Sequence, residues 1–437
     1  MKKYIKYLFI PTVLICLWII FILLLTLVNS IPKSVVIKNI KKSAEYYNNQ
    51  YMFRQMIKDE NSTIVHNYAD IVWLNIIYCA DESSPFISSI ESAFYEGDEL
   101  YKSESLFDAI NFNKSPNKSY SRYWHGATVF IKPLLILFDI HGIRFVNTAL
   151  CIISVLAFSF ICIKKRLYAP FCGYVLSLIL CFTYIIPLCM EYMPTFLLMH
   201  IFSIIIICGG YRLRGIHMAL MFTVFGALTC YFDFLTNEIL TLFIPLILLL
   251  WQSFKNESEK DFKHAAKLSV FSSVWWFLGY ALTWCAKWLL CLLFLGKDNF
   301  ISALSNGAYR MAGIVPEMEQ NQIFSAVIMN LNRIFPLNFL DNERAVLMVA
   351  IFFIVFIFCF WYMYRKNSKE LALSSILFII SLMPYARYIV LSNHSCLHPF
   401  FTFRTQMITI MALTMALVSS TDIKRLPFIP KRRSRQK

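Results

Sequence analysis

The sequence predicts an all-α integral membrane protein, with about ten transmembrane helices and a long first external loop carrying membrane-surface helices. Three observations predict it. Hydrophobic residues make up 58% of the 437 positions and charged residues 15%, against roughly 25% charged in a soluble domain. The apolar residues gather in runs of roughly 17–25, the length a helix needs to cross hydrocarbon. The formal charge of +15 punctuates those runs instead of massing in one block. Basic flanks of this kind meet anionic lipid headgroups, so membrane lipids are the expected partners and nucleic acid is not.

The first span is assigned to residues 1–30, where MKKYIKY leads into an apolar run ending near Val28. That run exceeds a signal-peptide core and no small-residue cleavage site follows, so it is expected to remain as an anchor. Residues 31–143 form the external loop. It is polar from 31 to 125, with helical patterns near 64–79 and 86–95. The segment ATVFIKPLLILF at 127–138 is too short to span and holds Lys132 and Pro133, which predicts a surface or re-entrant helix.

Residues 144–437 are expected to form a multi-helix membrane domain. Its spans fall near 145–163, 169–187, 194–209, 217–235, 238–254, 268–296, 345–364, 371–391 and 405–420, with an external loop at 297–344 and a basic tail at 421–437. Short connectors rich in Lys and Arg (Lys164-Lys165-Arg166, Arg212 with Arg214, 255–267, Arg365-Lys366) alternate with longer ones of mixed charge. The basic set is assigned to the cytoplasm together with both termini, which gives a multi-pass cell-membrane protein. The 13 cysteines show no CxxC pair or metal-ligand spacing and mostly lie in apolar runs, where they act as small apolar residues. Cys79 and Cys396 fall in external segments, and nothing in their spacing argues for a bridge.

An ionisable group in hydrocarbon costs roughly 2.5–3.5 kcal/mol on insertion scales, so each one is a candidate for function. Asp233 and Glu238 flank a turn in YFDFLTNE, Lys287 lies within GYALTWCAKWLL, and Arg387 precedes the last external loop, which carries His394, His398 and Arg404. All sit toward the external ends of their spans, beneath the long loop, as a polar cavity open outward would require. Tyr280, Trp284 and Lys287 share a helical face at spacings of four and three. Each also has a plainer reading: Asp233 and Glu238 as helix caps, Lys287 as a snorkelling lysine, the arginines as interface anchors.

SRYWHG at 121–126 supplies a charged fork in Arg122, aromatic platforms in Tyr123 and Trp124, and the imidazole of His125. Sugar rings pack on aromatic faces and arginine binds phosphate bidentately. Aromatic anchoring at the interface is the plainer alternative. Among the loop acids, Asp70 sits on an expected amphipathic helix with Ile71, Leu74 and Tyr78 on its apolar side, and Asp81 and Glu82 follow. Transfer to a hydroxyl needs a group that takes its proton, and a carboxylate held over a cavity would serve.

With SRYWHG, YFDFLT, GYxxxWxxKW and NHSCLHPFFTFR in view, the chain resembles a group of bacterial multi-spanning membrane proteins. More distantly it resembles the GT-C glycosyltransferases, which take a sugar from a polyprenyl-phosphate carrier on the outer membrane face. The resemblance covers nearly the whole chain in topology. It implies a polyprenyl-phosphate-linked sugar donor, a glycan or lipid acceptor, and a catalytic acid in the first external loop. Asp70 is the position that carries over, with Asp81 or Glu82 as substitutes, while Lys287, Arg387 or Arg404 would hold the lipid phosphate. No cofactor is implied, and a divalent metal is left open. The chain departs from several of those families in having a basic segment after Val28, with Glu45 as its first acid. Two other function classes fit the same outline: a polymerase or ligase of lipid-linked glycans, and a transporter or flippase. The 12 glycines and the lack of an internal repeat weigh against the latter.

Overall fold

The computed structural model describes residues 9–58, 60–97, 104–256, 261–318, 321–334 and 369–421, with isolated positions between 347 and 362. Helices dominate, and the strands among the described residues are short. Phe53–Gln55 pairs antiparallel with Ile64–His66, placing Phe53 opposite His66, and Ala93–Phe94 pairs with Lys118–Ser119. The expected span near 345–364 falls largely outside the described residues. So do Arg365-Lys366 and the basic tail beyond Thr421.

Among the described residues, five helical stretches are long and apolar enough to cross a membrane: Phe9–Asn29, Ile140–Lys164, Phe262–Leu295, Leu371–Val390 and Pro399–Ser420. The other expected spans are apolar but shorter, as Tyr168–Leu180, Met193–Cys208, Ile216–Phe232 and Leu240–Lys255. Two have visible stops. The segment expected at 169–187 breaks after Leu180, where Phe182 turns left-handed at φ +49° and Pro187 lies in the 3₁₀ turn Thr183–Leu188. The segment expected at 217–235 stops at Phe232, because Asp233 goes extended and Leu235 takes φ +63°. Short local breaks in the backbone set these lengths, and mean hydropathy does not register them.

The loop region builds a layer of its own. Lys33–Asn48, Asn67–Cys79, Pro85–Glu91, Glu104–Asn111 and Thr128–Leu137 surround an apolar core containing Val36, Tyr47, Leu74, Leu106 and Leu135. Asn67–Cys79 differs from its expected role as an amphipathic surface helix. Eleven of its thirteen residues are buried, because the layer covers one side and the membrane bundle the other. Thr128–Leu137 is the short helix with Pro133 that the sequence predicts, and its Lys132 is buried with Nζ 3.3 Å from the Asn29 carbonyl.

A second, larger core fills the bundle around Phe158, Tyr174, Phe196, Phe202 and Phe222. Ile216–Phe232 packs closely against Phe262–Leu295. Any Cβ at Gly226 would collide with the Trp276 carbonyl, and one at Gly279 with that of Thr223. Small residues let backbones approach this closely in lipid-facing bundles. That contact fixes the long helix, which in turn carries the loop layer.

Candidate functional site

A cavity of about 680 Å³ lies between the loop layer and the bundle ends beneath it. That size is within the roughly 300–1,000 Å³ of small-molecule sites. The layer contributes His66, Tyr68 and Trp73, the Glu96 and Lys118 pair, and Tyr120, Arg122, Tyr123 and His125. Opposite stand Glu191, Phe234, Arg310, His394, His398 and Phe401.

SRYWHG holds the near wall in place through its own backbone and the Trp124 indole. Trp288 Nε1 donates to the Arg122 carbonyl at 3.2 Å, Cys291 Sγ to that of Ser121 at 3.2 Å, and Trp124 Nε1 to that of Thr283 at 2.9 Å. Gly126 N–H donates to the Tyr231 carbonyl at 3.0 Å, and a Cβ there would meet the Tyr231 backbone and ring. This docking puts His125 at φ +57°. Burial lowers the His125 imidazole to about 3, with Arg122 and Lys287 adding smaller repulsions against the backbone bond to Tyr120. It is therefore neutral, with Nε2 2.9 Å from the Tyr120 carbonyl. Trp124 is buried behind the wall, outside the cavity.

The polar groups inside the cavity fall into three sets. Lys118 lies 3.9 Å from Glu96, and Tyr68 donates to the same carboxylate at 3.4 Å. His66 Nδ1 is 2.8 Å from Glu191 Oε2. The third set is two guanidinium groups without a carboxylate partner among the described residues. Arg122 lies 4.2 Å over the Tyr120 ring and 5.4 Å from that of Tyr123, and its Nε is buried with no hydrogen-bond partner. Arg310 reaches His398 Nε2 at 2.9 Å. The His394 and His398 rings lie 4.8 Å apart, tilted at 58°, and His394 Nε2 is tied to the Leu235 carbonyl at 2.9 Å.

The deeper charges are placed differently. Lys287 is fully buried and donates to the carbonyls of Ser89 and Ile90 at 3.2 and 2.7 Å, the unpaired C-terminal end of Pro85–Glu91. A cation at a helix C-terminus is stabilised there. Arg387 forms a buried fork with Glu238 at 2.6 and 3.0 Å and adds the Leu235 carbonyl at 2.6 Å. Asp233 accepts from Thr195 at 2.6 Å and from the Thr236 hydroxyl and N–H, which closes the turn. Arg404 donates to the carbonyls of Phe400 and Ser62 and lies 5.2 Å over the Tyr192 ring. Tyr280 stacks on Trp276 at 5.0 Å, and Trp284 meets Tyr123 edge-on at 5.1 Å from behind the wall. None of these residues lines the cavity.

The three loop acids are not at the cavity either. Asp70 is fully buried and accepts from Arg144 at 2.9 Å, Tyr47 at 2.8 Å and Met190 N–H at 2.9 Å. Burial pushes its carboxyl upward, against the pull of Arg144 and the two other donors. With its oxygens occupied by these donors, it fastens the layer to the N-terminal turn of Ile140–Lys164. Asp81 is exposed and accepts from Ser83, and Glu82 accepts from Lys33 N–H. The expectation that one of these carboxylates faces the cavity is therefore corrected: Asp70 is spent in the layer's own packing and the other two lie at its outer edge.

The sequence reading passed over His66 and Arg310 and assigned no role to Glu191. Glu191 had a signal, being an acid in a very short turn between two apolar runs. His66 and Arg310 lie in polar stretches where nothing sets them apart, and only folding across 125 positions joins His66 to Glu191. Cys79 and Cys396 are both free thiols. Among the described residues no group of three or more His, Cys, Asp or Glu is placed to hold a metal ion. No protein-family model, curated protein or solved structure matches the chain.

Proposed function

We propose that the protein is a membrane glycosyltransferase that moves a sugar from a polyprenyl-phosphate carrier to a cell-envelope acceptor on the external face of the cell membrane. The observation that carries this reading is the pair of guanidinium groups, Arg122 and Arg310, left without carboxylate partners among the described residues in an aromatic-walled cavity. A cation held this way is poised for an anion, and arginine forks match phosphate oxygens. Around them Trp73, Tyr120, Tyr123 and Phe401 give the flat apolar faces on which a sugar packs.

In the reaction, an acceptor hydroxyl attacks the anomeric carbon while the carrier phosphate departs with the bonding electrons. Positive groups fixed where that charge grows lower the barrier, because they need no reorganisation as it develops. The loop layer would lie outside and the basic connectors inside, so that the cavity meets donor and acceptor on the outer face. About ten crossings are proposed on the same grounds, with the shorter apolar helices completing the set.

The test is the composition of the cell-surface glycan with and without this protein. Loss of one sugar substituent is the expected result. Loss of an entire polymer would move the assignment to a lipid-linked glycan polymerase or ligase, and an unchanged surface would overturn the transfer reading.

A further inference from the structure

We propose that His66, oriented by Glu191, is the proton acceptor for the incoming hydroxyl. This rests on the transfer reading above and gives the site a base that none of the loop acids provides.

The geometry selects one tautomer of the neutral ring. A carboxylate only accepts hydrogen bonds, so a neutral His66 carries its proton on the Nδ1 that lies 2.8 Å from Glu191 Oε2 and keeps its lone pair on Nε2. That nitrogen makes no hydrogen bond to a described residue, and His66 lines the cavity. Rotation of the ring is blocked on two sides: Phe53 stacks on it at 5.3 Å and Phe400 meets it edge-on at 5.1 Å. Its own N–H donates to Cys189 Sγ at 3.3 Å, which ties the end of strand Ile64–His66 to the turn that carries Glu191. The other cavity carboxylate, Glu96, is already engaged by Lys118 and Tyr68.

The step balances within the site. The acceptor oxygen forms its bond to the anomeric carbon, and the bond from that carbon to the carrier phosphate oxygen breaks, its electron pair leaving with the phosphate. The hydroxyl proton moves to His66 Nε2. Glu191 stays ionised and stabilises the imidazolium, so it is a positioning residue.

The experiment complements cells lacking the protein with His66→Gln or Glu191→Gln and reads the dependent sugar substituent. In parallel, purified full-length variants are titrated with polyprenyl monophosphate. His66→Gln should lower transfer about 100-fold or more, with affinity for polyprenyl monophosphate within about twofold of wild type. Glu191→Gln should lower transfer about tenfold or more, again without loss of that affinity. If the substituent depends on the wild-type protein and His66→Gln still restores it fully, the base assignment is overturned while the transfer reading stands. Where His66→Gln does not accumulate, Glu191→Gln decides: lost transfer with retained binding supports the assignment, and full transfer overturns it. A substituent that never depended on the protein overturns both.

Discussion

Arg122 and Arg310 in the cavity wall and Lys287, Arg387 and Arg404 beneath it are cations within one end of the molecule, yet their surroundings differ in kind. Each of the deep cations is bound to fixed acceptors, helix-end carbonyls for Lys287, the Glu238 carboxylate for Arg387, the Phe400 and Ser62 carbonyls for Arg404, although Arg387 Nη1 and Arg404 Nε are buried without a hydrogen-bond partner. The wall arginines stack on tyrosines or touch a histidine, and no carboxylate answers either of them among the described residues. The difference teaches that expense and function part company here. A charge buried among apolar helices survives only if fixed polar groups hold it, a carboxylate for Arg387 and carbonyls for Lys287 and Arg404, so depth selects for structural contacts. A charge beside a water-accessible cavity carries no such requirement and can be kept for a ligand.

The largest expected effect breaks the deep side of that comparison. Arg387→Gln leaves Glu238 buried without its cation, at a cost of roughly 3–5 kcal/mol. Thermal unfolding of the detergent-solubilised variant should show a marked loss, or the protein should fail to accumulate. A variant that keeps wild-type stability would show that the fork with Glu238 is dispensable.

Asp70→Asn comes next. It strips the charge that answers Arg144, whose side chain is itself mostly buried. Stability should fall by about 3 kcal/mol, with transfer per folded molecule little changed. A stable Asp70→Asn protein that has lost turnover would return the catalytic role to that acid.

The smallest effect concerns His125 and pH. Its folded value of about 3 lies below the ordinary 6.5, so between the two the unfolded chain binds a proton that the folded protein refuses. Stability therefore drains away as pH falls through that window, and is intact above it. His125→Asn removes this contribution, and asparagine tolerates the left-handed backbone at that position. Melting temperatures at about pH 7 and about pH 4.5 should converge in the variant relative to wild type. An unchanged acid slope would mean that His125 is protonated in the folded state.

How much was legible in the sequence follows the same division. Helicity, the apolar character of the helices and the short Pro133 helix are local consequences of composition and periodicity, and they were readable. The stop at Asp233 was half visible, since YFDFLTNE announces a turn but not the left-handed Leu235 that ends the helix. Arg122, Tyr123 and His125 crowd into one short motif and His394 and His398 share one loop, so their joint position at the cavity could be read locally. Depth misled for Lys287 and Arg387, whose partners at Ser89, Ile90 and Glu238 lie far away in sequence. Asp70 misled for the same reason: Arg144 and Met190 reach it only after the layer has folded.

The most direct measurement is the thermal stability of the purified protein titrated with polyprenyl monophosphate, for wild type beside Arg310→Gln. A ligand that binds only the folded state stabilises it by RT ln(1 + [L]/Kd). Wild type should be stabilised saturably. Arg310→Gln, with an unliganded melting temperature near that of wild type, should need about tenfold or more lipid for the same shift, the loss expected for one charged hydrogen bond. Equal stabilisation of the two proteins, or none of either, would contradict the account that the wall arginines are held for a lipid-linked phosphate.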